Sequence, residues 1–278
     1  MNILQSIKSP KDIKSLSIPE LEILSSEIRG FLIDSVSKTG GHLASNLGAV
    51  ELTLALHRVY NTETDRLVFD VGHQSYIHKI LTGRRNDFKT LRMLDGLSGF
   101  PKPCESINDA AVAGHASTSV SVALGMARAR TLAHEDYSVA AVIGDGALTG
   151  GVAYEGLCDA GESKEPLVVI LNDNGMSIDS NVGGISTMLS ALRVKPAYFR
   201  FKRRYREFFA HVPALYNFNH KIKEWLKRRL LPGNIFDDLG FHYLGPVDGH
   251  DISQLEAVIG WAKELKTPVL VHVITQKG

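Results

Sequence analysis

The chain has 278 residues, and its 31 basic and 30 acidic side chains leave a formal net charge of +1, so no overall field favours binding to nucleic acid or an anionic membrane. Its two cysteines, Cys104 and Cys158, form no CxxC pair, which argues against a disulfide or zinc framework and fits a reducing cytosol. The apolar runs are too short to span a bilayer, so we expect a cytoplasmic protein.

The first predicted helix begins at Ser17, where a serine followed by Pro19 and Glu20 has the pattern of an N-terminal capping box. Apolar residues then recur at helical spacing until Gly40 ends the run. A second helix is predicted over residues 49–60.

From residue 67 onwards, short apolar runs typical of buried strands alternate with helical patterns. The predicted strands span residues 67–71, 138–143, 167–171 and 269–274, and the predicted helices span 117–132, 150–161 and a segment capped by Asp251. This alternation predicts an α/β fold with a mainly parallel sheet that carries helices on both faces. In such folds, ligands bind at the carboxyl ends of the strands.

Residues 191–231 differ from the rest of the chain, because they hold twelve basic and two acidic side chains with aromatic residues between them. We interpret this stretch as part of an amphipathic helical insertion at about residues 183–231, within a single domain that spans residues 1–278. Nucleic-acid binding is the less favoured alternative for this stretch.

The most informative pattern places polar side chains directly after two consecutive predicted strands. Asp145 lies in a Gly-Asp-Gly segment, and Asn174 follows it by 29 residues in an Asn-Asp-Asn segment. Their carboxylate and amide oxygens, with the backbone carbonyl of Met176, make a hard-oxygen ligand set suited to Mg²⁺ or Ca²⁺. Gly146 and Ala147 allow the backbone to approach a diphosphate closely at the start of the next helix.

These two segments resemble the thiamine-diphosphate motif of the transketolase-like enzymes. Further segments resemble one family among them, the 1-deoxy-D-xylulose-5-phosphate synthases. They lie at residues 41–53, 69–74, 78–84, 96–101, 114–119 and 245–251. The resemblance covers nearly the whole chain and is weakest in the basic stretch. It implies a thiamine-diphosphate-dependent transferase, and the domain type that binds the diphosphate and Mg²⁺.

The resemblance also implies roles for individual residues. Mg²⁺ is expected to bind Asp145, Asn174 and Met176. The expected contacts with thiamine diphosphate are His73, Gly114, His115, Ala116, Asp145, Gly146, Ala147, Asn174 and Met176. His42 and His73 are the expected catalytic residues, with His42 beside the reacting carbon, where an imidazole can exchange protons near neutral pH. His250 is a weaker candidate for a functional role.

The family condenses pyruvate with D-glyceraldehyde 3-phosphate, with loss of CO₂, so these are the expected substrates. Two positions depart from the family pattern. Gly175 lies where glutamate is common, and Ala116 lies where serine is common. Alanine cannot donate a hydroxyl hydrogen bond, so Ala116 could change how the diphosphate is positioned.

Members of that family are more than twice as long as this chain, and their second α/β domain carries a glutamate that activates the cofactor. We therefore expect this chain to be the cofactor-binding half of a homodimeric or larger enzyme. It is either a piece of a longer chain or one subunit of a split enzyme. Two alternatives remain open: the N-terminal subunit of a split transketolase, and a non-catalytic module that binds a cofactor or a partner.

Overall fold

The computed structural model describes residues 2–176 and 235–278, where five strands form one sheet in which all neighbouring strands are parallel. The strands are β1 (Arg66–Phe69), β2 (Val139–Gly144), β3 (Val168–Asp173), β4 (His242–Asp248) and β5 (Val269–Ile274). Their order across the sheet is β1-β2-β3-β5-β4. The prediction of a parallel α/β fold is confirmed.

The described residues also contain ten α-helices. They are α1 (Ile3–Ser6), α2 (Ile18–Thr39), α3 (Leu43–Leu47), α4 (Val50–Val59), α5 (Tyr76–Lys79), α6 (Ser119–Leu132), α7 (Asp145–Leu148), α8 (Gly151–Ser163), α9 (Ile235–Asp238) and α10 (Ile252–Glu264). A kinked turn (Ile80–Arg84), with non-helical backbone at Thr82 and Gly83, and a 3₁₀ helix (Arg85–Thr90) follow α5. No helix in these two ranges is long and apolar enough to cross a membrane.

Helices cover both faces of the sheet, as the side chains of β2 show. Ala141 and Ile143 lie in an apolar cluster with residues of α6 and α8. Ala140 and Val142 point to the other face, in a cluster with residues of α4 and α10. Because successive residues of a strand face opposite ways, a continuous apolar strand needs cover on both sides. A third cluster packs α2 against the N-terminal segment, α4 and α5.

Most predicted elements are confirmed to within two residues of their observed ends. At the start of α2, both the backbone N–H and the hydroxyl of Ser17 donate to a carboxylate oxygen of Glu20, at 2.7 and 2.6 Å. Gly40 ends the helix with φ +75°, a conformation that glycine adopts without a steric penalty. Asp251 caps α10 by accepting the backbone N–H of Gln254 at 2.9 Å.

The structure differs from the prediction in several places. β4 was not predicted, because Gly245 and Pro246 interrupt its apolar pattern; it lies at a sheet edge, where proline is tolerated. The short helices α1, α3, α5 and α9 were also missed. The Gly-Asp-Gly segment was predicted as a turn, but Asp145 begins the short helix α7, which is separate from α8. The predicted insertion at residues 183–231 lies outside the described residues.

A buried ionic network joins α5 to the loop before α6. The Asp109 carboxylate, 3% exposed, accepts two hydrogen bonds from the Arg84 guanidinium, both at 2.7 Å. It also bonds to the His78 ring at 2.8 Å and accepts the backbone N–H of Lys102 at 2.7 Å. His78 in turn bonds to His57 at 2.9 Å, so the network links α4 to the same loop.

We expect Asp109→Ala to lower the free energy of unfolding by about 3 kcal/mol, because it removes the carboxylate that accepts two short hydrogen bonds from the buried Arg84 guanidinium and leaves this group the Glu105 carboxylate at 3.4 Å. Urea denaturation followed by circular dichroism measures this loss. Asp159→Ala is the matched control, because it removes an aspartate from an exposed pair with Arg128. The urea concentration at the unfolding midpoint of Asp159→Ala should stay close to that of the parent chain. Equal midpoints for the two variants would show that the buried network does not stabilise the fold.

Candidate active site

The carboxyl ends of β2 and β3 bring together the two segments that were predicted to bind a metal. Gly144 and Asn172 are register partners on these neighbouring strands. Asp145 follows Gly144 and is 2% exposed. Its carboxylate accepts the backbone N–H of Gly175 at 2.8 Å. The Asp145 side chain therefore lies directly against the turn that contains Asn174 and Met176.

The turn after β3 is a tight one. The Asn174 side-chain oxygen accepts the backbone N–H of Met176 at 3.0 Å, and Gly175 between them has φ +75°. A glutamate at position 175 would be strained in this conformation, so the glycine suits this turn. In the described residues, no three His, Cys, Asp or Glu side chains cluster as metal ligands. The predicted magnesium ligands are compatible with that finding, because they include only one carboxylate, that of Asp145.

Buried polar side chains of the sheet hold this turn in place. The Asp173 carboxylate bonds to the His272 ring at 2.9 Å and also receives the Gly175 N–H at 3.3 Å. The other ring nitrogen of His272 lies 2.8 Å from the Tyr243 hydroxyl. Asp173 and His272 are both 0% exposed, so the turn rests on a bonded array that spans β3, β5 and β4.

The two predicted catalytic histidines are neighbours. The ring centroids of His42 and His73 are 5.5 Å apart, in an edge-to-face arrangement. Buried Asn46 donates its side-chain N–H groups to the backbone carbonyls of His42 and His73, at 2.6 and 2.7 Å. Its side-chain oxygen accepts the backbone N–H of Tyr76 at 2.9 Å. One amide therefore sets the positions of both histidine backbones.

Both histidines favour the neutral form. Burial, and then the charges of His42 and Lys277, lower the pKa of His73 to about 4, although nearby Asp70 acts in the opposite direction. Partial burial, and then the Arg92 guanidinium, lower the pKa of His42. The Nδ1 atom of His73 is buried and has no hydrogen-bond partner in the described part of the chain. A ligand or a water molecule that donates to or accepts from this atom would satisfy it.

The predicted contacts Gly114, His115 and Ala116 form an exposed segment before α6. The next residue, Ser117, donates its hydroxyl to the backbone carbonyl of Ala147 at 2.7 Å. The segment therefore borders the one that contains Asp145, Gly146 and Ala147. The structure thus brings the predicted contacts together in two groups, one around β2 and β3 and the other around the histidine pair.

The sequence prediction missed several residues that organise these groups. Asn46, Asp70, Ser117 and His272 were not singled out as site residues, although the first three lie in segments that resemble the family. Each forms its bonds with backbone atoms or with residues distant in the sequence, which no local pattern reveals. The only available signal was a polar side chain inside an otherwise apolar or glycine-rich segment.

His250 lies in a different environment from the histidine pair. Its Nδ1 atom bonds to the Glu51 carboxylate at 3.0 Å, and its Nε2 atom accepts the backbone N–H of Gln276 at 3.0 Å. Because Nε2 accepts, Nδ1 carries the proton and donates it to Glu51. The hydrogen bond to Glu51 raises the pKa of His250. His250 thus connects α4 to the chain after β5.

Solved structures of transketolases share this fold. The transketolase of Campylobacter jejuni aligns with a TM-score of 0.67 and 22% identity, over 94% of this chain and 38% of its own. The transketolase of Leishmania mexicana aligns with a TM-score of 0.65 and 21% identity, over 92% of this chain and 36% of its own. At these identities the likeness concerns the fold, and it places the chain in the transketolase-like class of α/β folds.

Sequence comparison then narrows the class to one family. The family model of 1-deoxy-D-xylulose-5-phosphate synthase matches residues 4–275, and the chain belongs to this family. The synthase of Clostridium tetani is 54% identical over an alignment of 282 positions, which covers 100% of this chain and 46% of the relative. That of Pelotomaculum thermopropionicum is 54% identical over an alignment of 279 positions, which covers 99% of this chain and 44% of the relative. The chain thus spans less than half the length of these curated relatives.

We expect the rings of His73 and His250 to titrate on opposite sides of the ordinary histidine pKa of 6.5, with His73 near 4. In the unfolded chain, His73 binds a proton once the pH falls below 6.5, whereas in the folded chain it does so only near pH 4. As the pH falls through this window, His73 therefore lowers the stability of the fold by an increasing amount. Nitrogen-15 NMR of the imidazoles measures both midpoints. A His73 midpoint at or above that of His250 would contradict the environments described for these rings.

Proposed function

We propose that this chain is the cofactor-binding half of an enzyme that condenses pyruvate with D-glyceraldehyde 3-phosphate, with loss of CO₂, to form 1-deoxy-D-xylulose 5-phosphate. Membership of the synthase family supports this reaction. The observation that carries the proposal is the junction of Asp145 with the turn at residues 174–176, where Gly175 bonds to the Asp145 carboxylate at 2.8 Å. This junction would supply oxygen ligands of the kind that Mg²⁺ prefers, beside the place proposed for the diphosphate.

In this proposal, Asp145, Asn174 and the backbone carbonyl of Met176 hold Mg²⁺. The arrangement fits such a site, because the amide oxygen of Asn174 keeps a second lone pair after accepting the N–H of Met176. Gly144 also fits a nearby ligand, since a Cβ atom there would meet no atom within 4 Å. A Mg²⁺ ion held by these residues would supply positive charge for binding a diphosphate.

Thiamine diphosphate is proposed to contact Gly146 and Ala147 on one side, and residues 114–116 and His73 on the other. A Cβ atom at Gly114 would meet no atom within 4 Å, so the backbone there faces open space that a cofactor can enter. The buried Nδ1 atom of His73, which lacks a partner in the described residues, also fits a ligand at this place. When bound, this cofactor would supply carbanion chemistry at the carbonyl carbon of a 2-keto acid such as pyruvate.

The chain's own residues handle protons in this scheme. Neutral His42 is proposed to exchange protons with the substrate, because its lowered pKa keeps the ring in the neutral form that can accept a proton. Neutral His73 adds no positive charge beside the cofactor at physiological pH. His42, Met176 and residues 114–116 are exposed, and we propose that the second half covers them.

We propose that the second half, on the same longer chain or on a separate subunit, completes this site in a cytoplasmic homodimer. A split transketolase would use the same fold with different substrates. A non-catalytic module would bind the cofactor without turnover. The family match to the synthase, and not only to the transketolase-like fold, favours the first of these three proteins.

An assay of the complete enzyme, this chain together with its second half, tests the proposed reaction. With Mg²⁺ and thiamine diphosphate present, pyruvate and D-glyceraldehyde 3-phosphate should yield CO₂ and 1-deoxy-D-xylulose 5-phosphate in equal amounts. Transfer of a two-carbon unit from a ketose phosphate without CO₂ release would identify a transketolase instead. Cofactor binding with no product from either pair of substrates would identify a non-catalytic module.

Two substitutions should separate cofactor binding from turnover in the complete enzyme. Asp145→Asn removes the only carboxylate of the metal site, and we expect Mg²⁺-dependent binding of thiamine diphosphate to weaken at least about 100-fold. His42→Ala should leave that binding close to the parent value and lower kcat by about 10²–10⁴. Calorimetry and steady-state kinetics measure the two effects. Unchanged binding in Asp145→Asn would disprove the metal site, and unchanged kcat in His42→Ala would remove His42 from the mechanism.

A further inference from the structure

A strained residue lies at the edge of the proposed site. Ser117, 8% exposed, has φ +71°, in the left-handed region that residues other than glycine rarely adopt. Such a conformation persists only where the surrounding contacts determine it, and residues of this kind cluster at ligand clamps and active sites. The contacts of Ser117 therefore indicate what its conformation serves.

The backbone at this point is held by a buried carboxylate. Asp70 lies at the carboxyl end of β1 and is 5% exposed. One of its oxygens accepts the backbone N–H of Ser117 at 2.8 Å, and the other accepts that of Ser119 at 2.9 Å. These N–H groups belong to the start of α6, where a helix leaves its donors without partners of its own. Asp70 thus anchors the start of α6 to the end of β1.

The side chain of Ser117 connects this anchored turn to the segment after β2. Its hydroxyl donates to the backbone carbonyl of Ala147 at 2.7 Å. It occupies the space left by the missing side chain of Gly150, since a Cβ atom at Gly150 would collide with the Ser117 hydroxyl. The two segments proposed to contact the cofactor, residues 114–116 and residues 145–147, are therefore joined directly through Ser117.

We propose that Ser117, with its backbone held by Asp70, is a positioning residue that sets residues 114–116 at a fixed place relative to Ala147, so that both segments meet the same cofactor molecule. This inference rests on the proposed function. Neither Ser117 nor Asp70 needs to touch the cofactor. They hold the two segments in the binding arrangement before the cofactor arrives. Binding therefore costs less conformational entropy.

Ser117→Ala in the complete enzyme tests the inference, with thiamine diphosphate and Mg²⁺ as the probe. Loss of the hydroxyl bond should raise the Kd measured by calorimetry about three- to tenfold, because a smaller fraction of the enzyme molecules then adopts the binding arrangement. At saturating cofactor, kcat should remain at the parent value. Ser117→Gly should raise the Kd to a similar extent, while its Tm without cofactor should exceed that of Ser117→Ala, since glycine adopts φ +71° freely.

Ser119→Ala provides a matched control two residues further along. The Ser119 hydroxyl is buried and has no hydrogen-bond partner in residues 2–176 and 235–278, and the substitution keeps the backbone N–H that bonds to Asp70. Its Kd should equal that of the parent enzyme.

The possible results separate this inference from the proposed function. Parent-like affinity in Ser117→Ala, or an equal loss of affinity in Ser119→Ala, would overturn the role of Ser117. A fall in kcat without a change in Kd would overturn it as well. If the parent enzyme and Asp145→Asn both failed to bind thiamine diphosphate, the proposed function itself would be wrong.

Discussion

The structure depends on the burial of both faces of a parallel sheet. The inner strands β2, β3 and β5 are mainly apolar, because a polar side chain on either face is buried and needs a bonded partner, as His272 of β5 has in Asp173. Their polar residues therefore collect near the carboxyl ends. Asp70, Asp145 and Asp173 occupy this position at the ends of β1, β2 and β3. The same requirement that stabilises the sheet thus concentrates hydrogen-bonding groups along one edge.

Along this edge, buried side chains mainly hold the backbone in place. Asn46 bonds to the carbonyls of His42 and His73, and Asp70 bonds to two N–H groups before α6. Asp145 bonds to the N–H group of Gly175 in the same manner. Because a buried polar group without a partner is costly, each of these bonds favours one arrangement of the surrounding loops. Exposed segments such as residues 114–116 can therefore be well positioned without being buried themselves.

Two histidines show that one fold can lower the pKa of a side chain at one position and raise it at another. His73 is moved from water into a site with other positive groups, and its pKa falls to about 4. His250 bonds to the Glu51 carboxylate, and its pKa rises. Desolvation penalises the charged ring, whereas a carboxylate partner stabilises it. The neutral histidines lie in the proposed active site, and the one with the raised pKa connects α4 to the end of β5.

The sequence by itself determined the fold class, most element boundaries and the pairing of the Asp145 and Asn174 segments, because these follow from local periodicity and from polar residues that end apolar strands. It also contained the motifs of the family, including His42 and His73. Only the tertiary structure decided that Asn46 joins the two histidines, that Asp70 and Ser117 connect separate loops, and that β4 completes the sheet edge. These features depend on contacts between residues far apart in the chain, and on burial, which sets the histidine pKa values. No local pattern records such contacts, since each is a product of how the whole chain packs.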